Sequence, residues 1–312
     1  MMFKNSIKLL LANFTTVWKL LAYKLVALLI VIGLFLPVIP AIEGLENFDL
    51  LSNSVMSFLS SYGFNPSHVN LLVSLNAILQ TLGSVISELI ITLPLLTIYI
   101  MFLFFIILPF LWHFCDVAVG ETLYGYMASQ TKYGFVGSMI RKLGVSVSHS
   151  ILLTLAVLPF TLLALGGVLV TLYLTTIEGM LLYALPLLLF LYFLIIGSLR
   201  IALFSGWMPA IVVYNCNALT GFHKGMNAIS RRFYRVWSTS LIIIFILLAI
   251  YTLFGWYALI IIAPIASLFI STFNTVMFFG SSGMRFYVDM DTIITPKKLE
   301  QTDKLHRLKF IV

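Results

Sequence analysis

Six stretches of about twenty residues run almost without charge, the length a helix needs to cross the hydrocarbon core of a bilayer. They are roughly Leu20 to Ile42, Leu89 to Phe114, Ile151 to Leu174, Leu181 to Phe204, Ser240 to Trp256 and Ala258 to Gly280. Nothing else constrains the chain as strongly, because an unpaired backbone group in lipid costs several kcal/mol and only helices or closed barrels avoid it. The runs are continuous, without the period-two alternation of a barrel strand. The chain is 61% hydrophobic and 9% charged, whereas a water-soluble domain is about 25% charged. The expected fold class is an all-α integral membrane helical bundle of six transmembrane helices. Residues 1–280 read as one membrane domain, with an exterior helical segment at 43–88 and a basic cytoplasmic tail at 281–312. Lys4 and Lys8 precede the first run, which has no small-residue cleavage site and is expected to remain as a span.

The break between the last two spans rests on Gly255, Trp256 and Tyr257 alone. Read as one helix, Ser240 to Gly280 would be about twice the length a membrane needs, so a tight hairpin is expected. All 18 Lys and Arg residues fall before or just inside span one, between spans two and three, at the end of span four and before span five, or after span six. The other three connections hold only Glu43, Glu46, Asp49, Glu88 and Glu178. Short cytoplasmic loops carry the excess of positive charge, which puts both termini in the cytoplasm of a cell bounded by this plasma membrane. The basic face is expected to meet an anionic inner leaflet, each cation near it contributing about 1 kcal/mol. Spread over four loops, it does not read as a nucleic-acid site.

Short helices precede the odd-numbered spans. Ser6 to Lys19 carries Ile7, Leu10, Leu11, Phe14 and Trp18 at helical spacing, and Gly225 to Trp237 carries Met226, Ile229, Phe233 and Trp237. Each is expected to lie in the membrane plane or to cross the cytoplasmic ends of the bundle. Lys8, Lys19, Arg141, Lys142, Arg231, Arg232 and Arg235 are the expected lipid-headgroup contacts. The F-x-x-V-W of Phe14 to Trp18 recurs at Phe233 to Trp237, and Gly134-Phe135 with Met139 recurs at Gly221-Phe222 with Met226. These matches suggest three pseudo-repeats of one interfacial helix and two spans. The segment A-I-S-R-R-F-Y-R-V-W (Ala228 to Trp237), in a basic six-span chain, resembles several groups of bacterial membrane proteins of unassigned activity. The layout is also similar to the membrane domain attached to some glycerophosphodiester phosphodiesterases. The resemblance implies a bacterial plasma membrane and assigns no activity.

Chemistry is sparse. Lys24 and Arg200 lie near span ends, from which they are expected to snorkel to the interface. The densest reactive cluster is His113, Cys115 and Asp116, in which His113 and Asp116 sit at i, i+3 and can meet. It reads as an interfacial helix end, with catalysis as the minor alternative. His149 and His223 have no partner at metal-ligand spacing, and no cofactor or metal is expected. Ser267, Ser271, Asn274 and Thr275 form one polar stripe on span six, read as helix packing or a polar path. In 43–88, Asn65-Pro66 reads as a helix start, and Leu72, Leu75, Leu79, Leu82, Ile86 and Leu89 form a stripe that docks on the protein itself or on a membrane-protein partner. The first functional expectation is a non-enzymatic scaffold or accessory subunit. A permease for a neutral or amphiphilic substrate is the alternative, and an intramembrane enzyme at the cytoplasmic end of span two the third.

Overall fold

The computed structural model describes residues 2–64, 68–128, 134–177, 181–230, 232–289 and 292–294. In chain order the helices are α1 (Met2–Ala12), α2 (Thr15–Phe35), α3 (Ile39–Glu43), α4 (Phe48–Phe64), α5 (His68–Thr92), α6 (Pro94–Phe102), α7 (Leu108–His113), α8 (Asp116–Met127), α9 (Phe135–Arg141), α10 (Leu143–Ile177), α11 (Leu181–Phe204), α12 (Trp207–Tyr214), α13 (Ala218–Ser230) and α14 (Phe233–Ser282). Strands β1 (Phe286–Asp289) and β2 (Thr292–Ile294) form an antiparallel ribbon. Among the described residues, six stretches are long and apolar enough to cross a membrane: Thr15–Glu43, Pro94–Met127, Leu143–Val170, Leu187–Tyr214, Phe233–Ile250 and Ile262–Ser282. The fold is a helical membrane bundle.

Proline sets the breaks in the second span. Leu93, at φ −133° and ψ 62°, leaves the helical region because the ring of Pro94 crowds the residue before it. Further on, Leu103–Ile107 is wound as a π-helix just before Pro109, which has no N–H to give to the helical ladder.

Backbone helix is continuous through α14, yet Arg232 Nη1 donates a 2.8 Å hydrogen bond to Gly280 O. Forty-eight residues of straight helix would hold those groups about 70 Å apart. The path therefore doubles back, and Val236 and Ile243 of the first arm share a buried cluster with Phe273 and Met277 of the second.

The chain packs as two compact units. One is Ala27–Pro109 with Thr161–Tyr192; the other is Met1–Val26, Phe110–Phe160 and Phe193–Val312. In the first, Val85 and Leu89 of α5 pack with Leu45, in the turn before α4, and with Phe48 and Leu51 of α4. Of the leucine stripe expected on α5, Leu82 and Ile86 face outward and only Leu89 is buried; Asn65, Pro66 and the side chains of Leu72, Leu75 and Leu79 lie outside the described residues. Beside Leu89, Glu88 ties α5 to the start of α4. Its carboxylate accepts from Glu46 N at 2.9 Å and from Asn47 N and Nδ2 at 3.1 and 2.9 Å, capping the start of α4 from the neighbouring helix.

These donors, first the Glu46 amide, hold the Glu88 carboxyl below its usual range. A depressed carboxyl stabilises the fold above the unfolded value of about 4.3 and loses that contribution as pH falls through the folded value. The melting-temperature gap between the unaltered protein and Glu88→Gln should thus close as pH is lowered from 6 toward 3 in circular-dichroism melts. A gap that does not change with pH would remove Glu88 as the cap.

In the other unit, α8 is buried on nearly every face, including Val117, Val119, Leu123 and Met127. Such all-round burial marks a core helix. Beside it, α12 and α13 approach backbone to backbone: a Cβ on Gly225 would stand 2.5 Å from Gly206 O, and one on Gly206 would stand 2.6 Å from Gly225 O. Trp207 Nε1 donates to Ala218 O at 2.7 Å across the turn. The expected helices Ser6 to Lys19 and Gly225 to Trp237 are each broken, at Asn13-Phe14 and at Arg232. Asn13 Nδ2 turns back to Leu9 O at 3.0 Å, competing with the helical ladder there. Short helix, break and span thus recur at α1/α2, α9/α10 and α13/α14. Past α14 the chain enters the ribbon, which docks Phe286 and Val288 in the core with Leu9 and Phe279.

Candidate functional site

Polar side chains from several apolar helices of the second unit converge on one cavity. Lys24, nine residues into α2 and about 14 Å from its start, is only 5% exposed. Its Nζ sits 3.9 Å from the centre of the Trp112 ring and has no hydrogen-bond partner among the described residues. The ammonium is held by the aromatic face and points into protein. The expectation that Lys24 and Arg200 snorkel is corrected: both side chains line the cavity.

Arg200, near the end of α11, donates from Nη2 to His113 Nε2 at 3.1 Å, and His113 Nδ1 lies 2.8 Å from Asp116 Oδ2. A guanidinium has donors only, so His113 Nε2 accepts, and the proton of a neutral imidazole is on Nδ1, directed at the carboxylate. The three groups form one chain, Asp116 to His113 to Arg200, with charge at its ends and a neutral ring between. The turn at Phe114-Cys115 makes it possible, because it joins α7 to α8 with His113 and Asp116 on the same side. The expected wet helix end is instead largely enclosed, at 15% and 21% side-chain exposure for His113 and Asp116.

His149, on α10, is 1% exposed with Nδ1 unpartnered among the described residues; its ring meets Trp207 edge-on at 5.3 Å. From α14 the stripe contributes Ser267, Ser271 and Asn274 to the lining. Ser271 donates to Ser267 O and Thr275 to Ser271 O, at 3.0 and 2.7 Å. Asn274 Oδ1 has no partner among the described residues, and Thr275 is 1% exposed. The cavity holds about 350 Å³, and Leu153, Val157, Phe204, Leu247 and Ile270 also line it.

Cys115 does not join this group. It is fully buried among Ala118, Val119 and Leu123, with Sγ 3.7 Å from Trp112 O, and does not line the cavity. His113 and Asp116 thus come together without the thiol. With Arg200 on Nε2, His113 has no nitrogen available as a base. Among the described residues no three His, Cys, Asp or Glu side chains are grouped to hold a metal ion.

Of the cations expected at lipid headgroups, Arg141 pairs with Glu121, Lys142 Nζ meets Asn215 Oδ1, and Arg232 holds Gly280 O. Lys19 and Arg235 are exposed, Lys8 is half-buried and Arg231 lies outside the described residues. Sequence reasoning missed Lys24, Trp112, His149 and Arg200 as one site. The available signal was depth: an ammonium nine residues inside an apolar helix needs a reason to be there.

Compared with protein-family models, with curated proteins and with solved structures, the chain matches none.

Proposed function

We propose that the protein is a permease whose solute site is the cavity among α2, α7, α8, α10, α11 and α14. One observation carries this reading. A scaffold needs no more than a filled apolar core, whereas this bundle keeps about 350 Å³ open and lines it with Lys24, His113, Asp116, His149, Arg200 and Asn274. A concave site of a few hundred Å³ with apolar walls and a few convergent polar groups is the usual form of a small-molecule site. Several of those groups lack a partner among the described residues, and unpaired buried polar groups cost about 1–3 kcal/mol each unless a ligand or water satisfies them.

In this reading the protein is multi-pass in the plasma membrane, both termini are cytoplasmic, and the exposed basic residues Lys19 and Arg235 face an anionic inner leaflet. Segment 43–88 is then exterior and available to a membrane-protein partner. The orientation is testable in a Cys216→Ser background. Cysteine at exposed Asn53 should react with an impermeant maleimide on intact cells, and cysteine at exposed Asn217 only after permeabilisation. Labelling of residue 217 on sealed cells would reverse the topology.

The function itself is tested by thermal-shift measurements on the detergent-purified protein against small neutral, anionic and cationic solutes, followed by counterflow in proteoliposomes. At least one class should raise the melting temperature and exchange across the bilayer. Stabilisation without exchange would leave a binding protein and end the permease reading.

A further inference from the structure

We infer that the cavity takes a small amphiphilic anion, its oxyanion head held by Lys24 and Arg200 and its apolar body against Leu153, Val157 and Phe204. The inference rests on the cavity being a solute site and names the class of solute.

The charges decide the sign. Two cations and one carboxylate, that of Asp116, line the cavity, and the hydrogen-bond chain makes His113 neutral. No other Asp, Glu, Lys or Arg lines it, so the cavity carries one positive charge in excess. Of the two cations Lys24 is the less satisfied: it is 5% exposed, and its Nζ has an aromatic face but no hydrogen-bond acceptor among the described residues. A buried ammonium in apolar surroundings is strongly unfavourable unless an anion meets it. Arg200 gives one N–H to His113 and has a planar fork of five donors, a shape matched to carboxylate and phosphate. A neutral solute would leave Lys24 as it is, and a cation would add to the repulsion. Leu153, Val157, Phe204, Leu247 and Ile270 also line the cavity, which suits a short hydrocarbon body and selects against inorganic anions that keep their hydration.

Hexanoate, hexan-1-ol, hexylammonium and inorganic phosphate are suitable probes for the full-length protein in neutral detergent, read by tryptophan emission, with Trp112→Phe identifying the reporter. Hexanoate should change the emission saturably and raise the melting temperature, at concentrations at least tenfold below those at which hexanol acts, and hexylammonium should not bind. Lys24→Met should weaken hexanoate at least tenfold and leave hexanol unchanged. Equal binding of hexanoate and hexanol to the unaltered protein would overturn the inference even if Lys24→Met fails to fold, as would preference for hexylammonium. If soluble anions fail but phosphatidylglycerol in nanodiscs stabilises the protein in a Lys24-dependent way, the oxyanion site stands with a lipid headgroup as its source. Hexanoate binding without counterflow would remove the permease reading and keep the anion site. Binding and exchange of a neutral solute alone would do the reverse.

Discussion

Gly225→Val should abolish the folded protein or cost at least about 3 kcal/mol, the upper end of what overpacking costs. The new Cβ would stand 2.5 Å from Gly206 O, and that neighbour is backbone fixed by the turn into α12, so no side chain can swing aside. Gly206→Ala meets Gly225 O at 2.6 Å and should behave alike. Gly33→Ala is the control: inside α2, with nothing within 4 Å of the added Cβ, it should be neutral or gain up to about 1 kcal/mol from helix propensity. Size-exclusion profiles and melting temperatures in detergent read both signs. A Gly225→Val protein that elutes and melts normally would mean that α12 and α13 do not touch as described.

Asp116→Asn should lower stability by about 1.5–3 kcal/mol, the usual range for losing a hydrogen bond to a charged group. The amide can also present a donor to His113 Nδ1, which favours the other tautomer and sets an imidazole N–H against the Arg200 guanidinium. A solvated helix end would tolerate the same change within about ±0.5 kcal/mol, so thermal melts separate the two descriptions. Because the substitution raises the positive charge of the cavity, hexanoate should bind the variant more tightly than the unaltered protein and recover part of the lost melting temperature. A variant that melts like the unaltered protein would mean that the Asp116 to His113 to Arg200 chain is not formed.

The fold class was legible because lipid imposes one requirement on every residue of a span, and twenty apolar residues in a row satisfy it without help from the rest of the chain. The helix breaks were legible where a single residue causes them, as at Pro94, and not where a side chain competes with the ladder, as at Asn13. The close approach of Gly225 to Gly206 was not read from the sequence, because it depends on how α12 and α13 pack in three dimensions. The site was half legible. The i, i+3 relation of His113 to Asp116 follows from one helical turn, but the approach of Arg200, eighty-seven residues away, depends on how separate spans pack. For Lys24 depth was the signal, but flexibility allows a lysine to snorkel, and the face of Trp112 that holds it inside is on another helix.

The reversal within α14 also bears on how this part of the chain enters the bilayer during synthesis. The second arm carries Ser267, Ser271 and Asn274 in a span-length segment. Released alone into lipid, it would leave the Asn274 amide facing hydrocarbon, a state without polar partners. The first arm, Phe233–Ile250, is joined to it by only the residues between Ile250 and Ile262, so the two leave the insertion machinery within seconds of each other at ordinary rates of translation. The arms can therefore pair as a hairpin before the rest of the bundle closes, with Ile243 against the Phe273 face and Arg232 capping Gly280. Lengthening that connection would delay the pairing and expose the nascent second arm to quality-control proteolysis, a defect in yield with no counterpart in the finished protein's stability.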